Sequence, residues 1–228
     1  MSRMTDDSTD VDLGLLLQLA GHELRSPLSA VLGYIRMVAK GQAGPITESQ
    51  ERILREAERS GGRLKNVLDE MSLFARMKRG EEALQRSEVG LGDVIEKAVG
   101  ELPELADRTV EVKLQRAAEV TIQGDAPRLT VAMSGLLFAL RRELVGSDTL
   151  GVALTRNGQQ AVVVIAPPDD VERLIDAPVD TLSSFDEHRG GCGLKLQIAR
   201  WILAKHGGQV YGTGQENKAS AVVRLPVT

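Results

Sequence analysis

Leu24, Leu28, Val31, Ile35 and Val38 recur at alternating steps of four and three. That spacing admits little but an α-helix carrying one narrow apolar stripe, of the kind that forms a helix–helix seam. The helix is expected from about Val11 to Lys40. Gly41 to Ile46 (GQAGPI) reads as a short loop. Thr47 then has the chemistry of an N-cap, and Gln50 three residues later completes a capping box. A second helix follows to about Met77, with Ala57, Leu64, Leu68, Met71 and Ala75 on one stripe and Gly61 at the intervening position. Gly61 and Gly62 sit in mid-helix at about 1 kcal/mol each relative to alanine. They mark either a flexible point or a close approach of helices. One antiparallel hairpin cannot bury both of its faces, so two are expected to pair into a four-helix bundle, which implies a homodimer.

The remainder of the chain has a different texture. Residues 1–10 are polar and expected to be disordered, so the hairpin domain spans 11–78, a polar linker 79–91, and a second domain 92–228. Gly92 to Leu102 reads as a helix, Thr109–Leu114 and Glu119–Gln123 as strands, and Ala126–Val145 as a helix. Leu150–Arg156 and Ala161–Ala166 flank Asn157-Gly158, a hairpin signal. Gly193–His206 is a helix stopped by Gly207-Gly208, and Gln209–Gly212 and Ala219–Pro226 complete a sheet. The segment is therefore an α+β sandwich of helices on one mixed sheet.

Charge and cysteine usage exclude several functions. Twenty-eight basic against 32 acidic residues leave a net charge of -4 with no basic tract, so no nucleic-acid partner is expected. Cys192 is the single cysteine, which suits a reducing compartment and offers no metal cluster. The apolar stretch Val11–Ala20 contains Asp12 and Gln18 and is too short to span a membrane. The acidic start is unlike a signal peptide. A cytoplasmic protein without membrane contact is expected, and with about a dozen residues before the first helix, no sensory domain.

At about 100° per residue, His22 falls about 160° from the centre of the apolar stripe, on the side of Ser26, Ser29 and Gly33. An exposed imidazole is a good nucleophile toward phosphorus near neutral pH. The run His22-Glu23-Leu24-Arg25-Ser26-Pro27-Leu28 resembles the phosphoacceptor box of sensor histidine kinases: a histidine, an acidic residue, two variable positions, a small polar residue, then proline and leucine. The resemblance implies that His22 is the phosphoacceptor. Glu23 would take a proton from the other ring nitrogen and orient the ring. Ser26 stands where relatives align a water for dephosphorylating a partner. Pro27 removes a backbone donor, so a helix bend is expected one turn after His22.

The resemblance extends into the second domain. Gly124-Asp125-Ala126-Pro127-Arg128-Leu129 resembles the segment that opens the central helix of the histidine-kinase catalytic domain. Gly191-Cys192-Gly193-Leu194-Lys195-Leu196, with Gln197-Ile198-Ala199-Arg200 and His206-Gly207-Gly208, resembles its second glycine box and the following helix. The fold implied is a dimeric helical hairpin followed by an α+β sandwich of the histidine-kinase ATPase type. The nucleotide positions depart from the family. Ala139 stands where an asparagine ligates Mg²⁺, and Gly135 where another precedes it. Arg142 and Glu143 replace a lysine and an aromatic. Ala166-Pro167-Pro168-Asp169-Asp170 replaces the first glycine box, whose aspartate recognises adenine. The lid between Phe185 and Gly190 is short, and Lys195 replaces the last glycine of the second box. An alanine cannot ligate a metal, prolines stiffen a loop that needs φ freedom, and two carboxylates repel phosphate. No cofactor and no metal are therefore expected.

Three functions follow. The leading one is a phosphorelay protein in which His22 exchanges a phosphoryl group with response-regulator receiver aspartates, with a hybrid or sensor kinase as a further partner and autokinase activity lost. A divergent but active sensor histidine kinase would need ATP and Mg²⁺. A non-enzymatic dimeric regulator of a kinase or response regulator would need neither, nor an exposed nucleophile.

Overall fold

The computed structural model describes residues 12–105, 107–116, 119–186, 193–213 and 219–227. The expectations for residues 1–10, for Cys192 and for most of the Gly190–Gly193 turn lie outside them. The chain divides into two compact units, Met1–Ala83 and Leu84–Thr228.

The first unit is the expected helical hairpin. Helix α1 (Leu13–Ala39) opens on Asp12, whose carboxylate accepts from the backbone N–H groups of Gly14 at 2.9 Å and Leu15 at 3.2 Å. These are donors that the first helical turn leaves unpaired. Helix α2 (Glu48–Lys78) opens on Thr47 with the full capping box to Gln50. The contact line between the helices differs from the sequence stripe. Gly14, Gly21 and Leu32 are buried along α1, whereas Leu24 and Val31 of the stripe are exposed. Close approach explains the glycines. A Cβ on Gly61 would stand 2.4 Å from Leu32 Cδ2, and one on Gly21 would stand 3.0 Å from Ser72 Oγ. A Cβ on Gly62 would meet nothing within 4 Å. Gly61 is thus a packing glycine.

The second unit carries six strands in the order β2-β4-β5-β8-β7-β6, with β1 and β3 paired separately. The strands are β1 (Ser87–Gly90), β2 (Glu111–Arg116), β3 (Thr121–Gly124), β4 (Thr149–Asn157), β5 (Gln160–Ala166), β6 (Ser183–Ser184), β7 (Gln209–Gly212) and β8 (Ala221–Pro226). The helices are α3 (Leu91–Gly100), α4 (Ala126–Glu143), α5 (Pro168–Ile175) and α6 (Lys195–Lys205). Strands β2 and β4 are parallel, and the other pairs of the large sheet are antiparallel. All of Ala161–Ala166 is buried, so both faces of central β5 are covered and its apolar run is continuous rather than alternating. At the β4–β5 turn, Asn157 pairs with Gln160, so the loop is Gly158-Gln159, with Gly158 at φ 58°.

Three differences from the sequence expectation stand out. The linker expected over 79–91 contains β1, held by antiparallel pairing with β3, and the first residue of α3. Pro167-Pro168-Asp169-Asp170 does not form a stiff loop. Pro168 occupies the first turn of α5, where its missing N–H has no helical partner to lose. Val171 and Leu174 then pack with Ala153, Val162, Val164, Ala166 and Val222. Gly151 of β4 makes room for α5, since a Cβ there would stand 2.8 Å from Val171 Cγ2. The third concerns the contact line of α1 given above, while Pro27 lies inside that helix, where a bend is expected.

Candidate functional site

His22, Glu23 and Ser26 are all exposed on α1, and none makes a hydrogen bond or ion pair with a described residue. Ser26 lies about 40° round the helix from His22 and one turn on, so the two share a face, while Glu23 lies about 100° round. Pro27 leaves the Glu23 carbonyl without its helical N–H partner. Ser29 Oγ donates back to the Arg25 carbonyl at 2.8 Å.

Polar contacts join the helices along one edge of their seam, on the side of His22, where Leu15, Leu19 and Met37 are exposed as well. The line touching α2 lies roughly 90° from His22, and the exposed apolar residues Leu13, Leu24 and Val31 lie about 180° from it. On the His22 side the helices are stitched by polar contacts. Arg25 Nη2 donates to Asp69 Oδ1 at 3.1 Å and to Ser72 Oγ at 3.0 Å, and Ser72 Oγ donates to the Leu68 carbonyl at 2.9 Å. Lys65 Nζ reaches Asp69 Oδ2 at 2.8 Å, and Arg36 pairs with Glu58 at 2.6 Å. Farther along, Arg79 donates to Gln18. The Lys65 ammonium, followed by Arg25, holds the Asp69 carboxyl below its ordinary range. On the opposite side, α2 leaves Ile53, Leu64 and Val67 exposed. Sequence reading missed the Arg25 clamp, although Arg25 lies only about 60° round the helix from His22.

In the second unit three of the positions singled out from sequence, Gly135, Ala139 and Ala166, are closed and apolar. Ala139 and Ala166 are fully buried, and Gly135 is buried. A Cβ on Gly135 would stand 3.3 Å from the Lys195 carbonyl oxygen, so α4 and the start of α6 are packed backbone to backbone there. None of Gly135, Ala139 and Ala166 has a side-chain oxygen to offer a cation. Lys195 Nζ lies 5.3 Å from the Phe138 ring centroid and the Arg142 guanidinium 5.7 Å from the same centroid, so two cations share one ring. Asp170, on the first turn of α5, accepts from Arg173 at 2.9 Å. Among the described residues, no three His, Cys, Asp or Glu side chains could hold a metal ion. No described helix is long and apolar enough to cross a membrane.

A second histidine plays a different part. His206 is buried at the end of α6, where Nε2 accepts from the Asp125 N–H at 2.9 Å and Nδ1 faces the Ile202 carbonyl at 2.7 Å. Nδ1 therefore carries the proton and the ring is neutral. Burial pushes its pKa below the ordinary histidine value. Asp125 in turn caps α4 by accepting from Arg128 N at 3.0 Å, and accepts from Gln85 N at 2.9 Å. Arg86 Nη2 donates to the Lys205 carbonyl at 2.6 Å. His206 and Asp125 thus tie the segment that leads into β1 to α4 and α6. Only His206-Gly207-Gly208 hinted at this node in sequence.

Residues 12–80 match the His Kinase A (phospho-acceptor) domain. The chain is similar to the sensor histidine kinase TrcS of Mycobacterium tuberculosis, at 27% identity over 96% of this chain and 45% of TrcS. It is similar to the circadian input-output histidine kinase CikA of Synechococcus elongatus, at 24% identity over 86% of this chain and 28% of CikA. Its fold is shared with full-length ShkA, crystallised in complex with AMPPNP, with TM-score 0.68 at 20% identity over 94% of this chain and 46% of ShkA. It is also shared with the histidine kinase ThkA, crystallised in complex with response regulator protein TrrA, with TM-score 0.56 at 17% identity over 95% of this chain and 62% of that one. The chain spans between 23% and 55% of the length of the curated relatives it matches first.

Proposed function

This chain is a member of the sensor histidine kinase family carrying that family's phospho-acceptor domain, and from that premise we propose that it is a phosphotransfer protein of two-component signalling. His22 accepts a phosphoryl group from the aspartyl phosphate of a receiver domain and passes it to another. The imidazole lone pair attacks phosphorus, the P–N bond forms, and the P–O bond to the aspartyl carboxylate breaks. That carboxylate leaves with its electron pair, and the proton on the other ring nitrogen passes to Glu23 or to water. Ser26, on the same face one turn on, is positioned to hold a water against a partner's phosphate, which is the basis for proposing a phosphatase step there.

The observation that carries this is the exposed, unpaired His22 on the side of the hairpin that carries the polar contacts. The opposite side supports a homodimer: Leu13, Leu24 and Val31 on α1 and Ile53, Leu64 and Val67 on α2 are apolar and exposed, the surface a four-helix bundle buries. The relative ThkA was crystallised with a response regulator, which supports receiver domains as partners. We place the protein in the cytoplasm, where its lone thiol stays reduced.

We read the second unit as a catalytic-domain fold that no longer binds ATP. The residues present do not fit Mg²⁺–ATP. Ala139 supplies a buried methyl where a metal ligand is needed, the Gly135 position is packed against α6, and α5 with its first-turn carboxylates Asp169 and Asp170 replaces a glycine loop. A divergent autokinase is the second reading, favoured by the histidine-kinase names of its relatives. Incubation with labelled ATP and Mg²⁺, beside a His22→Ala control, separates the two. We expect no His22-dependent label. Label that disappears in His22→Ala would establish the autokinase.

A further inference from the structure

We propose that Arg25 is a switched phosphoryl-binding residue, which leaves Asp69 and takes hold of the phosphoryl group once His22 carries one; the inference rests on His22 being the phosphoacceptor. Arg25 follows His22 by three residues, so it lies about 4.5 Å along the axis of α1 and about 60° round from it. Residues at that spacing are neighbours on a helix surface, with Cβ atoms about 5–6 Å apart. The α2-facing line through Gly14, Gly21 and Leu32 lies roughly 90° round on the same side, so Arg25 stands between the imidazole and α2.

Its guanidinium is held at that point by α2. Nη2 donates to Asp69 Oδ1 at 3.1 Å and to Ser72 Oγ at 3.0 Å. Ser72 is buried close against α1, since a Cβ on Gly21 would stand 3.0 Å from its Oγ. The guanidinium therefore rests beside the residue that precedes His22. Glu23, the charge next to His22 in sequence, lies about 160° round the helix from Arg25 and does not compete for it.

Asp69 is a partner that Arg25 can leave at small cost. The pair is partly exposed, at 39% for Arg25 and 46% for Asp69, and such pairs are weak. Asp69 is not left alone, because Lys65 reaches its other oxygen at 2.8 Å. Ser72 keeps its bond to the Leu68 carbonyl at 2.9 Å. A phosphoryl group on His22 offers Arg25 about two negative charges and oxygens that match the guanidinium fork.

Two effects follow. In hydrolysis, water attacks phosphorus, the P–N electron pair returns to the ring, and a proton on the other ring nitrogen makes the ring a good leaving group. A guanidinium beside the ring disfavours that proton, so Arg25 slows the loss of phosphoryl. The link from α1 to Asp69 of α2 opens only in the phosphorylated chain.

For the test, the full chain is phosphorylated with phosphoramidate and desalted, and its acid-labile phosphate is followed with time at neutral pH. His22→Ala gives the background from the other two histidines. The reagent needs no receiver, so the outcomes stand apart from whether a receiver exchanges phosphoryl with His22. We expect Arg25→Gln to lose phosphate at least about threefold faster than wild type, the Boltzmann factor for one unit charge about 6 Å away in water. Arg25→Lys keeps the charge and should stay within about twofold of wild type. Asp69→Asn removes the competitor and should lose phosphate no faster than wild type. Arg25→Gln and Asp69→Asn disturb the same clamp, so a merely structural role would move them alike. Arg25→Gln no faster than wild type, or either other variant as fast as Arg25→Gln, overturns the inference. Nitrogen-15 NMR of Arg25 in the wild-type chain is the second measurement. Its guanidinium signal should shift on phosphorylation, and a signal that stays in place overturns the inference as well.

Discussion

Replacing Gly61 and Gly62 separately by alanine tests the packing of the hairpin with helix propensity held constant. Both residues are interior to α2, so each alanine gains about 1 kcal/mol from the backbone. At Gly62 nothing opposes the gain, because no atom lies within 4 Å of the new Cβ. At Gly61 the Cβ lands 2.4 Å from Leu32 Cδ2 and 3.1 Å from its Cγ. Carbon atoms pack at about 3.5–4.0 Å, so buried Leu32 must leave its rotamer or α1 must move away. Overpacking of this kind costs about 1–3 kcal/mol. We therefore expect Gly62→Ala to be about 1 kcal/mol more stable than wild type and Gly61→Ala to lie about 1–3 kcal/mol below Gly62→Ala. The assay is urea unfolding followed by circular dichroism at one fixed protein concentration, so that any self-association weighs equally on every variant. Trp201, the single tryptophan, lies in α6 and reports the second unit separately by fluorescence. In a Leu32→Ala background the penalty at Gly61 should vanish. Gly61→Ala equal to or more stable than Gly62→Ala would refute the reasoning.

Other perturbations follow from the same structure. His206 is held neutral by burial, with its folded pKa below the unfolded value, so its contribution is complete above about pH 6.5 and is lost as pH falls from there through the folded value. The melting temperature should fall between neutral and mildly acidic pH, and His206→Gln should flatten that dependence. Gly151→Ala pushes a Cβ to 2.8 Å from Val171 and should destabilise the second unit by about 1–3 kcal/mol, read by Trp201 fluorescence. Asp69→Asn removes a half-exposed partner of Arg25 and Lys65 and should cost less than about 1 kcal/mol, shrinking further in about 1 M salt.

The hairpin was legible because its signals are local: a helical period, a capping box from Thr47 to Gln50, and a glycine-rich loop between. Which apolar line meets which neighbour was not, because Leu24 and Leu32 differ only in three-dimensional context. Strand β1 escaped notice because residues 87–90 hold a single apolar side chain, Val89, and become a strand only by pairing with β3. Helix α5 was hidden by Pro167-Pro168, although Pro168 in the first turn and Val171 and Leu174 three apart are signals of a short amphipathic helix. His22 was readable from its flanking motif and its face of α1. The Arg25–Asp69–Ser72 clamp and the His206–Asp125–Gln85 node join residues far apart in sequence, and no local pattern announces them.

The most direct measurement mixes the purified protein with a receiver domain carrying labelled aspartyl phosphate and follows the label on both partners, beside His22→Ala. The predicted result is that the receiver loses label while an acid-labile, alkali-stable phosphate accumulates on the wild-type chain and never on His22→Ala. Label that stays on every receiver tried, or that appears equally on His22→Ala, would contradict a phosphoryl-exchange role for His22.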